Sequence, residues 1–303
     1  MLINKIKKNL FNKILLATSL SISLLSLTGC VDQTNASNSS SNSSVQEERL
    51  IATSFSAITI CDMLELDLIA VPDTTNELPS RYNNLPTVGT SMSPDFEIIA
   101  SLEPTNVIGP DTLRETIEPK LDAVNVDSLF LNLRSVEGLY ESVGILGEMY
   151  DSQKLADQII GDYEQTIENF NSEREGFESP SVLILMGFPG SFCEATPTSY
   201  VGNLVELAGG INVVEDDKDD FVSWNTEELV KLNPDYILYT SHAIPDLVAD
   251  MFEKEFATND IWKHFTAVQE GRIIELDPSL FHMSANFSWA EGVEFLQELF
   301  YDI

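Results

Sequence analysis

Apolar residues fall into short runs separated by polar, Pro- and Gly-bearing stretches, and the runs alternate in kind. Residues 50–55 form an apolar run fit for a buried strand, and 57–67 then read as a helix. Residues 68–72 are apolar again, and a loop bearing Pro and Asn follows over 73–86. The alternation continues with a brief strand at 87–89, a helix over 94–102, a strand at 106–109 and a helix over 111–120. Strand and helix in turn predict parallel sheets with helical crossovers, an α/β fold.

The middle of the chain breaks this rhythm. Residues 136–151 and 153–173 are helical back to back, and in the second Leu155, Ile159, Ile160, Tyr163, Ile167 and Phe170 recur at helical spacing. One long helix joining two α/β halves is the economical reading. Beyond it come a strand at 182–186, a helix over 201–208 closed by Gly209-Gly210, a helix over 226–232, strands at 236–239 and 273–276, and a terminal helix from 288. The halves echo each other. Glu97 is followed seven residues later by Pro104 and then the strand Asn106-Val107-Ile108, and Glu227 seven residues later by Pro234 and then Tyr236-Ile237-Leu238. The expected organisation is an N-terminal lobe over 49–151, a linking helix over 152–176 and a C-terminal lobe over 177–303.

Ahead of the lobes, Lys5, Lys7, Lys8 and Lys13 precede an apolar run over 14–28 that is too short for a comfortable membrane span. Leu27-Thr28-Gly29-Cys30 closes it. A small residue followed by Cys is the pattern of bacterial lipoprotein processing, so residues 1–29 read as a signal and Cys30 as the acylated N-terminus. Two acyl chains suffice for stable anchoring. Ser, Asn and Gln dominate from there to residue 48, a composition that reads as a flexible tether. The expected location is the extracytoplasmic face of a bacterial cell membrane.

Sixteen Lys and Arg stand against 49 Asp and Glu, a formal charge of −33, and loss of the signal lysines makes it more negative. That field repels nucleic acid. It also requires any anionic ligand to be met by locally placed cations or by helix N-termini. With Cys30 acylated only Cys61 and Cys193 remain, and no spacing rule joins them.

Ligands of open parallel sheets sit at the carboxyl ends of strands, and clefts form preferentially between domains. The loops to search are therefore 90–93, 109–112, 187–199 and 241–246. His242 follows its strand directly, where a ligand-facing residue should stand. His264 lies among bulky neighbours and reads as packing or surface; His282 is undecided. Met92 occupies the corresponding loop of the first half, although a lone loop Met is usually just a Met. Together they offer one thioether and one imidazole from opposing lobes, the axial ligands of a low-spin haem iron and a poor zinc set. No Cys-x-x-Cys-His is present for covalent haem attachment.

Several stretches carry a resemblance: Leu78-Pro79-Ser80-Arg81-Tyr82, the run 182–187 with Pro189-Gly190-Ser191, Ser199-Tyr200-Val201-Gly202, Ala208-Gly209-Gly210 with Asn212-Val213, and 259–265. The chain resembles the ABC-transporter solute-binding lipoproteins of the siderophore, cobalamin and haem class, above all the haem-binding members. The resemblance implies two α/β lobes joined by one rigid helix, a monomer with modest closure, and Met92 and His242 as the iron ligands. It implies haem as transported ligand, an ABC permease met by Glu97 and Glu227, and a surface haem donor as a further partner. For the haem propionates it makes Arg81, with Tyr82 beside it, a candidate, along with Gly187, Gly190 and Ser191 and with Ser199 and Tyr200. Phe188, Phe192 and Phe281 are candidate porphyrin walls. A receptor for a ferric siderophore or cobalamin on the same fold, or a surface-anchored interaction protein without a cleft ligand, remain the alternatives. No nucleophile–base pair or phosphate loop is seen, so an enzyme is not expected.

Overall fold

The computed structural model describes residues 48–303 except Asn225 and Ala243 and the side chains of Thr226 and Glu227. Cys30, the signal over 1–29 and all but the last residue of the tether lie outside the described residues.

Strand β1 (Leu50–Ala52) is wholly buried, and Ser54 caps the helix that follows, α1 (Phe55–Met63), by accepting the Ala57 N–H. Strands β2 (Leu68–Asp73), β3 (Thr87–Thr90) and β4 (Ser93–Pro94) come next, with β3 and β4 joined by a tight turn. Asp95 caps α2 (Phe96–Ser101) through the N–H groups of Glu97 and Ile98. Then follow β5 (Asn106–Pro110), α3 (Arg114–Ala123) and β6 (Ser128–Leu131). The six strands form one sheet in the order β4-β3-β2-β1-β5-β6, parallel except for the β3–β4 pair. The edge strand β6 was not anticipated; only its last two residues are buried, so its apolar pattern is short.

Two long helices lead out of this sheet, α4 (Val136–Met149) and α5 (Gln153–Glu173). The second sheet is built from β7 (Ser181–Phe188), β8 (Ser191–Ala195), β9 (Ile211–Asn212), β10 (Phe221–Val222), β11 (Tyr236–Ser241) and β12 (Ile273–Glu275), in the order β10-β8-β7-β11-β12 with β9 beside β7. Its helices are α6 (Tyr200–Ala208), α7 (Thr226–Leu232), α8 (Pro245–Thr258), α9 (Thr266–Gln269) and the terminal α10 (Trp289–Tyr301). The protein is thus a two-lobed α/β molecule whose lobes are joined by the long helix α5.

Strand alternation divides the packing. Leu50, Ala52 and Ile108 face the main core while Ile51 and Val107 face a smaller one behind the sheet. In the second lobe Val182, Ile184 and Met186 face the main core, and Leu183 and Leu185 face a cluster built on Phe252 and Trp262. The main core runs through both lobes and under α5. Tyr140 of α4 stacks on Tyr163 of α5 at 4.1 Å, and Trp289 of α10 meets both rings edge-on. The Trp289 indole N–H donates to the Tyr140 hydroxyl at 2.9 Å. Further bonds among the described residues cross between the lobes: Val136 N–H to Asn203 Oδ1, Ala285 N–H to the Leu133 carbonyl, and Arg134 Nη1 to both carboxylate oxygens of Asp220. Arg134 Nε also bonds Asp111 in its own lobe, so one guanidinium holds a carboxylate from each side.

Candidate functional site

The carboxyl ends of the strands face a cleft of about 590 Å³ between the lobes, within the usual range of about 300–1,000 Å³ for small-molecule sites. From the first lobe it takes Ser54, Phe55 and Ser56 at the start of α1, Ser91 and Met92 in the β3–β4 turn, and Pro110, Thr112 and Leu113 after β5. From the second it takes Asp220 and Phe221, Ser241 and His242 after β11, and a late loop bearing His282, Met283 and Asn286. A second cavity of about 540 Å³ shares Phe55, Asn76, His282 and Asn286 with it and adds Thr59, Thr75 and Ser288.

Met92 is 73% exposed at the crown of its turn, an unusual amount of thioether left in water. The turn is held by the Ser93 N–H on Thr90 Oγ1. His242 is fixed through its backbone, the N–H donating to the Gly187 carbonyl at the end of β7. Its ring lies 5.5 Å from that of Phe188, and desolvation holds its pKa below the usual 6.5, so the imidazole is neutral at neutral pH. Beside it the hydroxyl of Ser241 is buried without a hydrogen-bond partner among the described residues. Gly187 is required here: a Cβ would stand 2.3 Å from Val248 Cγ1, so α8 packs directly on the strand end. Ile244, next to α8, is 60% exposed and has φ +49, left-handed backbone that a β-branched side chain adopts only at a cost of about 1–3 kcal/mol.

Met92 and His242, singled out in the sequence, line one cleft from opposite lobes. Arg81 and Tyr82 do not. The guanidinium bonds Asp67 Oδ1 at 2.6 Å and the Glu65 carbonyl and lies over the Tyr82 ring, while the Tyr82 hydroxyl donates to the Leu66 carbonyl. The expectation that Arg81 receives a ligand carboxylate is therefore corrected: an ion pair within its own lobe occupies it. Tyr200 is 1% exposed inside the main core, and Phe281 is equally buried, so neither walls the cleft. Phe192 packs on Phe252 and Trp262 instead. Gly190 and Ser191 form the tip of the β7–β8 hairpin beyond Phe188, outside the lining residues. Cys61 and Cys193 are unbridged, and burial pushes the Cys61 thiol up to about 12.

Sequence reasoning missed Phe55, Leu113, Phe221 and Met283 as walls, and left His282 undecided. His282 is half-buried and faces both cavities; desolvation lowers its pKa, with the Ser279 backbone and Asp277 pulling it back. No Lys or Arg lines either cavity among the described residues. Glu97 is exposed at the start of α2; α7, which carries Glu227, occupies the corresponding place ahead of β11.

The sequence profile of the periplasmic binding proteins matches residues 50–280. The high-affinity haem uptake system protein IsdE of Staphylococcus aureus strain Newman is 36% identical over 287 residues, covering 94% of this chain and 96% of that protein. Among solved structures, an ABC transporter substrate-binding protein from Listeria monocytogenes superposes with a TM-score of 0.80 at 37% identity, over 85% of this chain and all of that one. S. aureus IsdE complexed with haem superposes with a TM-score of 0.79 at 34% identity, over 84% and 99%.

Proposed function

Because the chain belongs to the periplasmic binding protein family, we propose that it is a receptor that captures haem between its lobes and delivers it to an ABC permease for iron uptake. The observation that carries this reading is that Met92 and His242, from opposite lobes, line one cavity of about 590 Å³. A thioether sulfur and a neutral imidazole nitrogen are a matched pair of axial donors for haem iron. The depressed pKa of His242 keeps that nitrogen free to ligate. Phe55, Leu113, Phe221 and Phe188 supply apolar surface around it, as a porphyrin requires. The likeness to S. aureus IsdE, in sequence and in fold, supports haem as the cargo.

With Arg81 engaged elsewhere and no Lys or Arg on the walls, one haem carboxylate meets the start of α1. Ser54 Oγ takes the Ala57 N–H, which leaves the N–H groups of Phe55 and Ser56 outside the helix ladder and turned to the cleft end of the helix. Anchoring through acylated Cys30 holds the receptor at the outer face of the cell membrane. Glu97 and Glu227, one per lobe, contact the permease, whose preference for an open receptor releases the cargo. No chemistry on the ligand is involved.

The test is a visible spectrum of purified protein mixed with haemin. Wild type gives a Soret band and visible bands of a six-coordinate Met/His iron, while Met92→Ala and His242→Ala each alter them and shorten retention. Spectra of both variants that match wild type would remove the ligand assignment, and no Soret shift in wild type would remove haem.

A further inference from the structure

We propose that His282 is the side chain that receives a carboxylate of the bound tetrapyrrole, a role distinct from iron ligation; this rests on the haem reading above. Haem brings two carboxylates into a molecule of formal charge −33. A buried carboxylate left without partners is heavily penalised. Among the described residues lining the two cavities, His242 and His282 are the only side chains able to bear positive charge. His242 sits at the end of β11 beside Phe188 and lines only the larger cavity, the one that also holds Met92. His282 lines both that cavity and the smaller one, whose walls are richer in polar groups, with Thr59, Thr75, Asn76, Ser279, Asn286 and Ser288 beside Phe55, Phe287, Pro245 and Pro278. An apolar macrocycle with a polar edge fits this division, its ring in the larger space and its acid side chains toward the smaller.

The local structure prepares His282 for that contact. Asn286, on the same loop, is 8% exposed and its Oδ1 accepts from the Ser288 N–H and hydroxyl, so the amide is fixed in orientation. Asp277 Oδ1 accepts the Ser279 N–H, ordering the turn ahead of the imidazole. Desolvation favours the neutral ring, so His282 by itself buries no uncompensated charge. A carboxylate beside the ring then takes an N–H hydrogen bond and favours its protonated form.

The experiment compares haemin with haemin dimethyl ester, which keeps the ring and iron and lacks the free acids, on wild type, His282→Ala and His282→Gln. His282→Ala is expected to weaken haemin about 10- to 100-fold, the range for one charge-assisted hydrogen bond. Its Soret and visible bands stay unchanged, and ester affinity stays within about twofold, which also shows that the variant is folded. His282→Gln, which retains an N–H donor, is expected to recover part of the loss. Wild-type haemin affinity in His282→Ala would overturn the proposal. So would equal weakening of haemin and ester, or a spectral change that marks His282 as an iron ligand. Absence of haemin binding by wild type would instead overturn the haem reading itself.

Discussion

Tyr140→Phe removes one oxygen from the joint between the lobes. The phenol is 8% exposed, and the Trp289 ring whose N–H it accepts is 2% exposed. Phenylalanine keeps the stack on Tyr163 and the edge contact with Trp289, so packing is nearly preserved. What is lost is the partner of a buried indole N–H, and an orphaned buried donor costs about 1–3 kcal/mol. We expect about 2 kcal/mol in urea unfolding followed by far-ultraviolet circular dichroism, with the m-value unchanged. Trp289→Phe removes the donor as well as ring volume and should cost about 3 kcal/mol. In that background Tyr140→Phe should add no more than about 0.5 kcal/mol, because the bond is already gone. A single-variant loss under about 0.3 kcal/mol, or strict additivity of the two changes, would refute the view that this bond ties α10 to α4.

Acid should weaken the protein in two ways. Haemin retention falls as the medium turns acid, because a protonated imidazole cannot ligate; a flat retention profile from pH 7 down to pH 5 would contradict this. His242 and His282 both have folded pKa values below the usual 6.5, so below that pH the unfolded chain binds more protons and native stability falls as pH falls. Urea midpoints should accordingly drop further between pH 7 and 5.5 in wild type than in a variant with both histidines changed to Gln. Gly161→Ala, within α5 where a Cβ meets nothing within 4 Å, should raise stability by about 0.5–1 kcal/mol. Gly202→Ala should lower it by about 1–3 kcal/mol, since its Cβ would fall 2.0 Å from the Thr196 carbonyl oxygen; thermal melts read both. Glu97→Lys and Glu227→Lys should cut haem-dependent growth while leaving haemin spectra intact, and altered spectra would place those residues elsewhere in the mechanism.

Much of the first lobe was legible because its strands are apolar runs: α1 and α2 start within two residues of where periodicity puts them, although α1 ends four residues earlier. The helix α8 was missed, although Val248, Phe252 and Phe256 are spaced at i, i+4 and i+8 and Pro245 stands at its start. The left-handed Ile244 hid its beginning, because a β-branched residue gives no local signal for that conformation. Loop position and the family resemblance led to Met92 and His242, and both line the cleft. Arg81 was misjudged because its partner, Asp67, lies fourteen residues back, and nothing in its own neighbourhood reveals that choice. His282 could be weighed only once the late loop was seen to meet Thr75 and Asn76 across the cleft.

Every strand of the first sheet precedes α5 and every strand of the second follows it. A polypeptide growing from its amino end therefore holds a complete first half before the second has been made, the order in which domains generally mature. The groups that must wait include Asn203, the carboxylate of Asp220, the amide of Ala285 and the indole of Trp289, and these fasten one half to the other. His282 and Asn286 belong to the same late-made segment. A nascent chain thus has no finished receptacle to fill prematurely, since the walls meet only when the final helix docks.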